Sequence, residues 1–295
     1  MEVYKPKQSY ACYYILGVLL IGNLTAAIIA PFTSSYIIVN LLRVFMICYT
    51  IYCVYYLILA LTTNYYITEE QIKIKCALKL RNTTINFKDI KAYSVKQGII
   101  KGVKLSGIGN NKFAFGKTIV DKIGLTSMFV TNSSRTLYIK TEEISYGISP
   151  EDFDAVENLL KQKNISLGDF DFKINKDIEL HKDKRFFIPF IIVTLIILFI
   201  TINPFALYLT QKLPSKMPLS FNQQFYPVEY GTGRQFAFRQ MVYGVLNMVI
   251  LFCMYYTSYF HAKYDKRSAY KYIYISLLIS FVFLLIQFNI LIQFT

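Results

Sequence analysis

The chain contains no tryptophan, only two histidines, and far fewer acids than bases: 18 Asp and Glu against 32 Lys and Arg, a formal charge of +14 over 295 residues. Each shortage excludes something. Its five cysteines are an odd number, and no two stand in a C-x-x-C pair. Cys12, Cys48, Cys53 and Cys253 lie in apolar runs and Cys76 in a strand-like segment, as small buried hydrophobes do, so neither a disulfide framework nor a zinc site is expected. His181 and His261 flank different apolar runs among Lys and Asp, the setting of solvated positions beside a membrane.

Reaction centres are missing in the same way. No Ser, Cys or His stands in a nucleophile-base pattern, and acids pair only in turns, as Glu69-Glu70 and Glu142-Glu143. Gly116-Lys117-Thr118 ends like a phosphate-binding loop, but the glycine required five positions before Gly116 is replaced by Asn111 and no helical run follows. Gly107-Ile108-Gly109 lacks the third glycine and the helix of a dinucleotide fingerprint, so it reads as a loop. No catalytic, cofactor-binding or metal-binding residue is expected, and the protein reads as a non-enzyme.

What is present is long apolar sequence, 54% hydrophobic overall and clustered rather than periodic. Crossing a bilayer takes about 20 apolar residues in a helix. Residues 10–30 and 36–61 meet that length as a hairpin, with Arg43 the one charge, read as reaching back to the interface. Residues 186–205, 241–260 and 272–294 give three further spans within a transmembrane region 186–295, and 210–240 form a loop containing Pro214, Pro218 and Pro227. The apolar blocks partition the positive residues instead of leaving them in one stripe, so nucleic acid is not expected as a partner; the lipid bilayer is.

Between the second and third spans lies a polar block, divided into residues 62–165 and a charged connector 166–185. Tyr65–Thr68, Gln71–Leu78, Thr83–Phe87, Met128–Thr131, Thr136–Lys140 and Ile144–Ile148 are rich in Tyr, Ile, Thr and Phe, often alternate, and are separated by turn signals that include Gly107 to Asn111. At Ser149-Pro150-Glu151-Asp152 the period changes: a hydroxyl cap, proline at the first helical position and acids in the first turn announce a helix with Phe153, Val156 and Leu160 on one face. Tyr66-Ile67-Thr68, Gly107-Ile108-Gly109 and Tyr146-Gly147-Ile148-Ser149-Pro150-Glu151-Asp152 occur in the order seen in bacterial pleckstrin-homology (PH) domains of membrane proteins, which this stretch resembles. The resemblance implies an antiparallel β-barrel closed by a C-terminal helix. The fold class expected is therefore an α+β membrane protein, five transmembrane helices with an inserted PH-like barrel.

Lys5 and Lys7 precede the first span, and Lys263, Lys266, Arg267 and Lys271 crowd the short last loop. The positive-inside rule puts these and the PH-like block in the cytoplasm, with 210–240 outside. In that outer loop Leu213-Pro214-Ser215-Lys216-Met217-Pro218, Phe221-Asn222 and Tyr230-Gly231 resemble a bacterial membrane domain of immunity proteins that protect a cell from its own toxin peptide. The pattern has a histidine before the aromatic-Asn pair and a glycine three residues after it, where this chain has Ser220 and Phe225.

Two groups of site residues follow. Lys73, Lys75, Lys79 and Arg81 form a candidate lipid-facing basic patch, each basic side chain worth ~1 kcal/mol near an anionic leaflet. Leu213, Pro214, Lys216, Pro218, Phe221 and Asn222 form a candidate outer-loop motif. The function expected is a membrane adaptor or sensor whose PH-like module binds a protein partner; the alternative is an immunity or transport protein engaging a peptide through the outer loop and spans three to five.

Overall fold

The structure is a computed structural model and describes residues 2–33, 35–76, 81–142, 144–168 and 179–294. Strand β1 (Glu2–Tyr4) precedes helices α1 (Ala11–Phe32) and α2 (Tyr36–Thr62). Strands β2 (Asn64–Ile67), β3 (Gln71–Cys76), β4 (Arg81–Asn86), β5 (Ala92–Gln97), β6 (Gly102–Asn110), β7 (Phe113–Val120), β8 (Gly124–Val130), β9 (Arg135–Lys140) and β10 (Ser145–Ile148) follow, then helix α3 (Phe153–Gln162). The remainder is α4 (Lys184–Leu209), the hairpin β11 (Met217–Phe221) and β12 (Pro227–Gly231), α5 (Gly233–Ala262) and α6 (Lys266–Phe294). All of these helices except α3 are long and apolar enough to cross a membrane. Two compact units divide the chain, Met1–Asn23 with Cys48–Ile174 and Leu24–Ile47 with Asn175–Thr295.

The first unit holds two sheets, ordered β1-β2-β3-β4 and β5-β9-β10-β8-β7-β6. Alternation builds the smaller one: in β3 Ile72, Ile74 and Cys76 are buried while Gln71, Lys73 and Lys75 are not. These side chains meet Phe115, Phe129, Leu137 and Ile139 of the larger sheet in a core that α3 completes with Phe153, Val156 and Leu160, and that also takes in Ile15 of α1 and Leu59 of α2. Each such aromatic or aliphatic side chain contributes ~1.5–3 kcal/mol by leaving water.

The expected closed antiparallel barrel is corrected to these two sheets. Among the described residues no ladder joins the two sheets, and β4 passes to β5 through a 3-10 turn at Phe87–Asp89. Strand β10 fills the slot between β9 and β8 and so runs parallel to β8. The Gly107-Ile108-Gly109 stretch, expected as a loop, lies inside β6, and Gly107 opposes Gly116 of β7. Both have positive φ, +102° and +120°, and a Cβ on Gly107 would stand 1.9 Å from the Phe115 carbonyl oxygen. Gly107, which read as part of a loop, makes a close cross-strand contact with Gly116.

The residues before the first span also belong to this unit. Strand β1 pairs with β2, Pro6 lies opposite Pro150, and Lys7 N–H donates to the Ser149 carbonyl at 2.9 Å. Ser149 and Pro150 are therefore not the helix start. Ser149 is buried, its Oγ accepting the Thr131 amide at 2.9 Å, and Asp152 caps α3 by accepting the Ala155 amide at 3.1 Å.

In the second unit α5 begins earlier than the apolar run suggests. Thr232 and Gln235 form a reciprocal capping box, so the helix starts at Gly233 rather than near residue 241. Helix α4 carries Pro189 and Pro204. Having no N–H, Pro204 leaves the Ile200 carbonyl without its helical donor, and the Gln287 side chain supplies one at 2.9 Å. Arg43 is exposed about 10 Å along α2 from its first residue, within reach of an interface.

Candidate functional site

The basic strand face lies on β3. Lys73 and Lys75 share the half-buried side of β3, opposite Thr84 and Asn82 of β4, and the Lys75 ammonium stands 4.5 Å from the Tyr66 ring centroid. Arg81 opposes Cys76 in the ladder rather than either lysine. Lys79 lies outside the described residues. Two lysines thus share this face, and one of them is turned onto an aromatic ring.

The outer-loop motif forms a hairpin. Asn222 makes its turn: Oδ1 accepts the amides of Gln224 at 3.0 Å and Tyr226 at 2.9 Å, and Asn222 N–H donates to the Tyr226 carbonyl at 2.9 Å. Phe221 stacks on Phe225 with centroids 4.5 Å apart, Pro218 is buried, and the Lys216 ammonium lies 4.7 Å from the centroid of Tyr230. Leu213 packs part-buried in the cluster around Met217 and Phe236, with Pro214 beside it also part-buried. Gln223 ties the hairpin down by donating to the carbonyls of Ala30 at 2.9 Å and Thr33 at 2.7 Å. Beneath lies a pocket of about 220 Å³ lined by Tyr36, Ser220, Phe221, Arg239, Gln240 and Tyr243, with Arg239 paired to Glu229 at 3.1 Å. Sequence reasoning missed Arg239 and Gln240 because they were assigned to the loop; the Thr232-x-x-Gln235 box was the signal that places them on α5.

A third place had no sequence signal. Strand β4 is an edge of the smaller sheet, and beside it opens a cleft of about 380 Å³ lined by Thr84, Lys88, Asp89, Lys91, Thr141, Glu142 and Tyr146. Lys91 and Glu142 pair across it at 2.9 Å. Its walls come from stretches more than 50 residues apart in the chain.

At the start of α4, Asp183 accepts the Tyr270 hydroxyl at 2.5 Å, the Arg185 amide at 2.9 Å and the Lys266 ammonium at 3.1 Å. The Tyr270 hydroxyl first, then the Arg185 amide and Lys266, hold its carboxyl down at about 2. His261 hydrogen-bonds the Tyr272 hydroxyl at 2.7 Å, and His181 is exposed.

Comparison with known proteins places these features in a family. Residues 63–164 match the bacterial PH domain. An uncharacterised protein of Clostridium acetobutylicum is 42% identical over 290 residues, covering 98% of each chain. No solved structure matches. The matched stretch begins one residue after α2 and ends two residues after α3, so it takes in β2 to β10 and the closing helix. The chain belongs to the same family as that clostridial protein and carries a bacterial PH domain among long apolar helices.

Proposed function

We propose that the protein is a non-enzymatic membrane adaptor or sensor whose PH domain holds a protein partner on the cytoplasmic face. The observation that carries this reading is the edge of β4, unpaired among the described residues and opening onto the cleft between Lys88 and Glu142. An extended peptide adding to such an edge gains main-chain hydrogen bonds, and a neighbouring cleft with both charge signs selects its side chains. The density of Lys and Arg around the first span and in the last loop supports a cytoplasmic PH domain. A photo-crosslinking residue at Thr84 in the full chain, activated in native membranes, is expected to trap one discrete protein adduct. Adducts only with lipid, or none, overturn the reading.

The pocket beneath the outer hairpin favours a second reading, immunity or transport, in which Phe221, Arg239 and Tyr243 receive part of a peptide. Peptide sensitivity of cells carrying the chain without Leu213–Gly231 separates the two, since the adaptor reading expects no change there.

A further inference from the structure

The β6–β7 turn is joined to the point where the chain enters the membrane. Helix α1 has 22 residues, ~33 Å at 1.5 Å per residue, close to the ~30 Å hydrocarbon thickness. Its first turn must therefore lie at an interface, where Tyr10, Tyr13 and Tyr14 suit the headgroup level. Asn110 contacts the Tyr10 hydroxyl, its Nδ2 donating at 3.2 Å, and the Phe113 ring meets Tyr10 and Tyr14 edge-on at 5.8 and 5.4 Å between centroids. The turn Asn110–Lys112 is thereby held at the same depth. Ile100 N–H donates to the Asn111 carbonyl at 2.8 Å, which brings the β5–β6 loop alongside.

What that loop presents is unusual for a surface in water. Ile100 is buried, but Ile99 and Val103 on either side are 60% and 65% exposed, and the intervening Lys101 is exposed, as is Lys112 on the turn. Lys104 folds back to donate to the Gly109 carbonyl, while Lys101 and Lys112 stay exposed, with Asp121 and Lys122 of the next turn beside Lys101, whose carbonyl accepts the Asp121 amide at 3.1 Å. Apolar tips between ammonium groups, tied to a transmembrane entry, match the two layers of an anionic leaflet: chains for Ile99 and Val103, phosphates for the lysines.

We propose that the Ile99–Val103 loop with Lys112 is a lipid-docking edge, which seats the PH domain on the anionic leaflet beside α1. It is separate from the Lys73–Lys75 face and independent of the partner reading. Docking would fix the orientation of the domain about the α1–α2 hairpin and leave the acidic Glu69-Glu70 turn facing away from the bilayer.

The absence of tryptophan makes the test direct. Ile99→Trp and Val103→Trp in the full chain, reconstituted in nanodiscs of mixed phosphatidylglycerol and phosphatidylcholine, are expected to emit at short wavelength and to be quenched by lipids brominated on the acyl chain. Glu69→Trp, at the far end of the β2–β3 hairpin, is expected to emit as in water and escape quenching. Adding Lys101→Gln or Lys112→Gln should lower the docked-to-undocked ratio about fivefold each in the anionic discs, and pure phosphatidylcholine discs should lower it for the parent. Water-like, unquenched emission from both Ile99→Trp and Val103→Trp overturns the proposal. So does blue-shifted emission without bromolipid quenching, which would mean protein covers the edge, and so does quenching indifferent to the two lysines and to lipid charge.

Discussion

The strand-rich unit and the helical unit bury their side chains under different rules. In β3, one step along the chain from Lys73 to Ile74 goes from part-buried to fully buried, so hydrophobicity itself marks the inside. In α4, Leu195 is 60% exposed and Ile197 only 3%, yet the two are chemically alike. Lipid is as apolar as leucine, so the second unit is held by close packing and polar contacts between helices. Gly244 admits Thr201, whose Oγ1 would lie 2.0 Å from an added Cβ, Ser258 donates to the Ala269 carbonyl at 3.0 Å, and Gln287 reaches Ile200. An inward leucine and an outward one cannot be told apart from sequence in such a bundle, whereas in the sheets they nearly always can.

The largest expected effect breaks this comparison most cleanly. Phe129 is fully buried between the sheets, and Phe129→Ala should cost ~3–5 kcal/mol. Leu195→Ala, at a position 60% exposed on α4, should stay within about 0.5 kcal/mol. Pulse proteolysis of the full chain in detergent, read by fragments from residues 113–130 and from α4, measures both. Equal losses would show that the two units are stabilised alike.

Next is the buried hydroxyl of Tyr65. It donates to the Phe129 carbonyl at 2.6 Å and accepts the Ser149 amide at 3.2 Å, and burial pushes its pKa up to about 12. Tyr65→Phe removes both of these bonds to buried main chain and should cost ~1–3 kcal/mol by the same proteolysis. Faster exchange of the Ser149 amide with solvent deuterium would place the loss at the network joining β2, β8 and the strand end before α3.

Much of this was legible in the residues. Length and apolarity locate the helices that can cross a membrane, alternation locates β2, β3 and β4, and the spacing of Phe153, Val156 and Leu160 gives the buried face of α3. Strands β6 and β7 were hidden because Gly107 and Gly109 read as a turn and Gly116 as the end of a phosphate-loop-like stretch, whereas all three stand where two backbones approach. The helix start was misplaced because Ser149 has a better use, bonding Thr131 in the core. The β4 cleft and the pocket under the outer hairpin had no sequence signature, for each is assembled from segments that only folding brings together.

The acid limb offers a smaller effect, this time in the helical unit. Asp183 has its carboxyl held at about 2, below the ~3.9 of an unfolded chain. Because the folded value is the lower one, its contribution is fully present above about pH 4 and is lost as pH falls from there toward 2. Asp183→Asn should cost ~1–2 kcal/mol at neutral pH and flatten the change between pH 4 and 2 in a detergent-unfolding titration. A variant with the same acid limb as the parent would assign that limb to other carboxylates.

A loss of one interhelical hydrogen bond sharpens the comparison most. Gln287→Leu removes one donor from the Ile200 carbonyl that Pro204 has already left without a helical partner. By the logic of the sheets this should match Tyr65→Phe, since each takes a side-chain donor from a buried carbonyl. In a membrane the unfolded reference keeps its helices and finds substitute partners, so such bonds average only ~0.6 kcal/mol. Steric trapping of α4 from α6 in lipid discs measures the difference. A loss near that of Tyr65→Phe would mean that the Pro204 break is sealed from lipid and water, and that the bundle interior behaves like the core between the two sheets.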